Sequence, residues 1–437
     1  MGRPVCQVII IGGGIGSLAT AIGLQDAGHE VTLVERMTSF DDSGSGINVP
    51  PNASKCLQGF GVLEALKAKS VHTRQITIHS WRDGKVLSNI DVVPDVEDTY
   101  KLPFLNVHRA DFHTVLLEKA KSLGVNVKLG STVTKIDFLA PAIELLNGEV
   151  CKADFILGGD GDRSISRQAM LGYADKPYHS GDDVFSIAFP ASEVLEHEDL
   201  RDFVEPSPIH LWYGPNTHVV AFALRGNNIF NIIFSRPTDT SKPTLSRPQE
   251  ADMEELTNYF KDWDPRTKKL LGLAQHAVRW TLTETTEPRT WCHPEGHFAL
   301  IGDAAHAMLP YLAQGAGMGL EDAATLSVMF RHIEHKSQIP DVLSIYERLR
   351  KPRTYELKRR SKIMRETNSM LDGPMQEERD RQMLQHAPFD GYPNPWADPV
   401  FQKWMWGHDA FAEAEKAWTI YKKGEWPSTR GAWKING

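Results

Sequence analysis

The sequence predicts an α/β fold: a parallel, Rossmann-like sheet, an antiparallel sheet inserted into it, and a helical C-terminal segment. Three observations predict it. An apolar run near the start turns through glycines into a helix ("VCQVIIIGGGIGSLATAIGL"), and two later apolar runs each stop at a Gly/Asp turn ("FILGGDGDRS", "FALIGDAAHAMLP"). Between those two lie stretches of alternating character ("HVVAFALRG", "IFNIIFSRP") that mark antiparallel strands.

Taken in order, Val8 to Ile11 is the first strand, Ile15 to Asp26 the helix and Glu30 to Glu35 the second strand, which makes one β-α-β unit. A helix over Ala110 to Ser122 precedes "VNVKLGSTVTKIDF" and the strand before Asp160, and the antiparallel region spans Gly181 to Thr285. After Asp303 the chain turns helical, with "DVLSIYERLRKPRTYELKRRSKIM" as its clearest helix. The tail carries Trp396, Trp404, Trp406, Trp418, Trp426 and Trp433, and such scattered indoles predict a clamp packed on the main body.

Composition narrows the function classes. The 437 residues leave room for two or three lobes. Lys+Arg 48 against Asp+Glu 56 gives a net charge of -8 with no basic face, which argues against a nucleic-acid partner. Cys6, Cys56, Cys151 and Cys292 stand too far apart for a zinc site or a disulfide framework, so no metal is expected and a reducing compartment fits. The apolar N-terminal run is a strand rather than a signal peptide, and no stretch reaches the ~20 apolar residues of a membrane span. A cytoplasmic protein, monomer or homodimer, is expected.

"GGGIGSLATAIGLQDAGHEVTLVE" sets Gly12 and Gly14 where the strand becomes a helix, so that backbone N–H groups can meet a pyrophosphate. Glu35 ends the second strand, where a carboxylate can accept from a ribose hydroxyl. Ser17 stands where the third glycine of such a turn is usual, with Gly16 just before it. This pattern implies a dinucleotide and leaves NAD and FAD both open.

Together with the Asp160 and Asp303 turns, the glycine turn resembles the three-part signature of the class A flavin-dependent aromatic monooxygenases, in the branch of salicylate hydroxylase, over about residues 5 to 355. The resemblance implies a GR2-type FAD-binding domain built from residues 1–75, 100–180 and 285–345. A substrate sheet of 76–99 and 181–284 and a helical, Trp-rich segment of 346–437 complete the expected organisation. It assigns Gly12, Gly14, Glu35 and Arg36 to the adenosine side and Asp160 to a position serving FAD and the pyridine nucleotide. Arg109 falls to the ribityl and phosphate region, Asp303 to the ribityl chain, and Gly46, Ile47 and Asn48 to the ring's edge. The amides of Gly315, Ala316 and Gly317 are expected at the ring's N1 and O2, a close approach that explains the small residues of "GDAAHAMLPYLAQGAGMGLEDAA". His306 and Gln314 match the pattern as well, with a satisfied structural histidine the competing reading of the first.

The activity so implied is hydroxylation or epoxidation of an electron-rich aromatic by noncovalent FAD, NADH or NADPH and O2, through a flavin C4a-hydroperoxide. Pro310 is expected beside the ring, and His218, on the substrate sheet, as the base. Phe222 stands four residues on, where relatives have a tyrosine, and Ser186 where relatives often have an arginine. The first removes a phenolic relay at that position and the second a partner for a carboxylate, so a neutral phenol, indole or polyketide-type ring is favoured over a simple benzoate. A non-hydroxylating oxidase or dehydrogenase of the same fold is the alternative. An NAD-dependent dehydrogenase leaves the Asp160 and Asp303 turns without a role, and a non-catalytic relative of the Rab-binding type leaves 303–317 without one.

Overall fold

The computed structural model describes residues 3–40, 45–238, 248–385 and 387–426. Its parallel sheet has five strands in the order Phe298–Leu300, Phe155–Gly158, Gln7–Ile11, Glu30–Val34 and Asn126–Lys128. The inner strands read as unbroken apolar runs because helices cover the sheet and leave them no wet face. Both Gly/Asp turns and the glycine turn leave the sheet at the same edge, since Gln7–Ile11, Phe155–Gly158 and Phe298–Leu300 are parallel neighbours. Three motifs far apart in sequence thereby meet.

The second sheet has eight strands. In order they are Gln249–Glu250, Val278–Glu284, Tyr178–Pro190, Ile229–Pro237, Thr217–Leu224, Pro208–Gly214, Gln75–Ser80 and Val86–Asp91. Period-2 alternation separates its faces. Phe185, Ile187, Val219, Ala221, Ile232 and Phe234 pack into one core with the helices Met253–Tyr259 and Pro265–Gly272. Val184, His218, Val220, Phe222, Ile233 and Ser235 look the other way, toward the parallel-sheet body.

The small-residue segment becomes the helix Gly315–His332, buried without a break from Gly317 to Phe330. It lies between the opening helix Ile15–Asp26, the helix Pro51–Gly59 and the helix Ala410–Lys422, so no face needs to be polar and crowding keeps the side chains short. Gly16 and Gly319 let two helices touch: a Cβ on Gly16 would come within 3.2 Å of the Gly319 Cα.

Beneath that helix, Glu321 and Asp322 meet the buried Arg350 and Arg353 of the long helix Ile339–Asn368. Burial alone would raise the Glu321 carboxyl, but Arg353 and Arg350 hold it well below the usual carboxylate range. Arg353 also donates to the carbonyls of Trp404 and Met405, at 3.0 and 2.9 Å, which ties the tail to the body. Trp396, Trp406 and Trp418 are buried and Trp404 lies over Arg353, the clamp arrangement expected, while Trp433 lies outside the described residues. No described helix is long and apolar enough to cross a membrane.

Candidate active site

A cavity of about 670 Å³ joins the glycine turn to the inner face of the antiparallel sheet. At its nucleotide end Gly12 takes φ 99°, and a Cβ there would strike the Gly159 carbonyl oxygen at 2.4 Å. Gly12 lines the cavity, and the Gly159 backbone packed against it is a second reason for a glycine there. Gly14 is the residue whose missing side chain keeps the cavity open, with nothing within 4 Å of where its Cβ would stand. Ser17, in place of a third glycine, packs as closely as one and donates from Oγ to the Gly159 carbonyl at 3.1 Å.

The acidic residues divide by what else they hold. Glu35 lines the cavity, and it also accepts the Gly13 N–H at 2.6 Å and the Met37 N–H at 2.8 Å, which fixes the glycine turn. Asp160 lines it too, but its two oxygens accept from Ser164 Oγ at 2.5 Å and Ser166 N–H at 3.0 Å at the start of the helix Ile165–Leu171. Asp303 is different. Its surface is exposed to the cavity, and the protein packed around it raises its carboxyl while His306 and Arg109 pull it back. Arg36, Arg109 and Arg163 bring positive charge to the same chamber.

Beyond Asp303, the first amide of the small-residue helix to bond back is Met318 N–H, to Gln314 O at 2.8 Å. The N–H groups of Gly315, Ala316 and Gly317 therefore have no partner within the helix. Gly315 and Ala316 line the cavity, but Gly317 does not: a Cβ on it would meet Gln314, Ala53 and Asn52 at 3.4 to 3.5 Å. Two residues of helix turn the chain by ~200°, so Gly317 faces away while Gly319, four on from Gly315, returns to the wall. His306 is buried with Nε2 2.6 Å from Asp322 Oδ2 and no described partner on Nδ1, and Asp322 also accepts the Gly302 N–H at 3.0 Å. Gln314 accepts from Asn52 at 2.9 Å.

At the sheet end, Gly46, Ile47 and Asn48 form a wall strand, and Phe222 lies so close to Gly46 that a Cβ there would overlap the ring at 2.4 Å. His218 and Phe222 share one strand face, as their spacing implies. Ser186 is on the cavity-facing side of its strand but outside the wall, which at that strand is Val184. Burial pushes His218 down to about 4, with Asp182 opposing the shift, so the ring is neutral at physiological pH. Its Nδ1 lies 3.0 Å from Ser235 Oγ, which leaves Nε2 for a ligand. Pro310 stands in the same wall beside Tyr311.

An open glycine turn, unbonded amides, three arginines and a carboxylate exposed to the cavity suit the diphosphate, ribityl and ring parts of FAD. The chain matches the family model described as "FAD binding domain" over residues 5–361. It belongs to that family. The enzyme is an FAD-dependent monooxygenase, similar to the FAD-dependent monooxygenase OpS4 of Beauveria bassiana (strain ARSEF 2860), with 34% identity covering 95% of this chain and 98% of the relative. It is 31% identical to the 3-hydroxybenzoate 6-hydroxylase of Klebsiella oxytoca, over 80% of this chain and 85% of that one. In fold this monooxygenase matches a salicylate hydroxylase substrate complex with a TM-score of 0.78 at 22% identity, covering 94% and 98% of the two chains.

Sequence reasoning missed Tyr311, Ser235 and Met308 in the wall of the monooxygenase's cavity. Tyr311 stood in plain view after Pro310, but a lone tyrosine in an apolar run carries no signal. Ser235 was within reach, being one of the alternate residues of a strand already assigned to the substrate sheet.

Proposed function

We propose that this monooxygenase hydroxylates a neutral, electron-rich aromatic ring that carries a hydroxyl or ring N–H, with His218 as the base. The observation that carries this reading is the character of the sheet end. Val184, Val220, Phe222, Ile233, Leu282 and Met308 make it apolar, its titratable groups are His218 and Tyr311, and no described lysine or arginine lines it. Such walls desolvate a flat ring, and a neutral imidazole in them can take one proton and raise the ring's nucleophilicity. A benzoate would leave its carboxylate there without a cation, at a cost of several kcal/mol.

Reduced by NADH or NADPH, bound FAD supplies activation of O2 and transfer of one oxygen atom. The chain's residues do the rest. Gly14, Glu35 and Arg36 hold the adenosine and pyrophosphate side, Arg109 balances phosphate charge, and Asp303 accepts from the ribityl chain. Gly315 and Ala316 would turn the positive end of a helix toward the ring of bound FAD and offset negative charge on it. Gly46 to Asn48 and Pro310 bound the ring, and Phe222, pressed on Gly46, orients the substrate beside it.

The test is NAD(P)H oxidation and product formation with phenols, indoles and aromatic acids, in the wild type and in His218→Ala. Neutral phenols or indoles should be hydroxylated and aromatic acids should not. His218→Ala should keep FAD, lose product by ~10²-fold or more and release peroxide instead. Equal hydroxylation of benzoates, or undiminished product in the variant, overturns the reading.

A further inference from the structure

A base at His218 must pass on the proton it takes, and the structure offers a way out behind the ring. Ser235 Oγ stands 3.0 Å from His218 Nδ1 and 3.4 Å from the Tyr311 hydroxyl, and Tyr311 Oη lies 2.7 Å from Asp182 Oδ2. Asp182 is bound by Arg365, with Nη2 2.6 Å from Oδ1. All four groups from His218 to Asp182 are buried, whereas the Arg365 side chain is 32% exposed. Five residues from three strands and two helices therefore make one unbroken line from the substrate chamber to the surface.

We infer that His218, Ser235, Tyr311 and Asp182 form a proton exit route from the aromatic substrate to solvent, in which Ser235 and Tyr311 are relay residues and Arg365 only holds Asp182 at the outer end. The inference rests on His218 being the base. Direction follows from the acceptor end. A carboxylate held by an arginine can only accept, so the single Tyr311 proton goes to Asp182, the nearer partner. The Tyr311 oxygen must then accept from Ser235, and Ser235 must accept from Nδ1–H. That order fixes the tautomer and leaves Nε2 as a lone pair facing the chamber.

The proton balance closes without any oxidant or reductant. The substrate O–H or N–H bond breaks and its proton joins Nε2, while Nδ1–H passes to Ser235, the Ser235 proton to Tyr311 and the Tyr311 proton to Asp182. His218, Ser235 and Tyr311 end neutral, as they began. The ring keeps the electron pair, and Asp182 releases the proton to water beside Arg365. Neither hydroxyl has to ionise, which matters because burial and the Asp182 charge push the Tyr311 phenol far above its usual range. The other titratable group facing the line is Tyr259, which reaches it through Thr217.

The experiment uses the FAD-loaded protein and 4-nitrophenol, whose phenolate absorbs visible light. Stopped-flow absorbance should show fast ionisation in the wild type, slowed roughly tenfold or more in Tyr311→Phe and in Ser235→Ala, two substitutions that keep the packing. Nitrogen NMR of labelled histidine should place the His218 proton on Nδ1 in the wild type. In Tyr311→Phe it should move to Nε2, because Ser235, deprived of its acceptor, turns its proton to the ring. If His218→Ala slows ionisation while Tyr311→Phe and Ser235→Ala do not, and the tautomer stays put, the route is refuted and the base stands. If His218→Ala changes nothing, the base reading falls and the route falls with it.

Discussion

Replacing Asp303 by asparagine preserves shape and removes one charge, and the structure gives that change two opposite consequences. With FAD bound, a ribityl hydroxyl loses a charged acceptor in a site away from water, worth ~1.5–3 kcal/mol. At a factor of ten per ~1.4 kcal/mol, FAD affinity should fall roughly 12- to 150-fold. In the FAD-free protein the sign reverses. The protein around Asp303 raises its carboxyl although its surface opens to the cavity, so the folded state binds a proton more readily than the unfolded one, and stability is lost as pH rises from the unfolded through the folded pKa. Asp303→Asn removes that cost, and the FAD-free variant should melt higher than the FAD-free wild type at neutral pH. Fluorescence titration of the stripped proteins with FAD gives the first quantity and thermal unfolding gives the second. Unchanged FAD affinity would show that Asp303 does not touch the cofactor, and a lower melting point would show that its carboxylate is already satisfied by the protein.

Gly317→Ala should leave FAD retention unchanged, because its Cβ meets ordinary contacts, whereas Gly319→Ala puts a Cβ 3.1 Å from the Gly16 Cα and should lower FAD occupancy; absorbance ratios of the two purified variants separate them. Arg350→Met strips a partner from both Glu321 and Asp322 and should cost ~3–5 kcal/mol in urea unfolding. Both carboxylates are lowered in the folded protein, so the stability they add is present at neutral pH and lost as pH falls below ~4, and the variant should show a weaker acid dependence. Since His218 is held at about 4, the base is active above that value and kcat/KM should show no inflection near ~6.5 from this residue; such an inflection, lost in His218→Ala, would mean the ring is solvated in the working enzyme.

What the sequence disclosed was whatever has a short period or a fixed local turn. The β-α-β unit, the Asp303 turn and the shared face of His218 and Phe222 each follow from a few consecutive residues. Gly317 lies outside the cavity wall that Gly315 and Gly319 line, a difference that helical rotation already implies. That Gly12 must also clear Gly159, nearly 150 residues later, leaves no local trace. The line from His218 to Arg365 has no local trace at all: Asp182 and Arg365 are 183 residues apart, and only the packing of the long helix against the antiparallel sheet brings them together.

The strand order of the parallel sheet also sets a timetable for biosynthesis. The strand Gln7–Ile11 is made first, yet its neighbour Phe155–Gly158 follows about 150 residues later, and Phe298–Leu300 completes the row after nearly 300. The carbonyls that fasten Arg353 belong to residues 404 and 405, about 100 residues further on. A ribosome releasing ~5–20 residues each second thus holds an unfinished cradle for tens of seconds, with apolar strands awaiting partners. FAD can be captured only after Phe298–Leu300 and the helix Gly315–His332 have been made, so cells short of FAD should hold newly made chains on chaperones for longer.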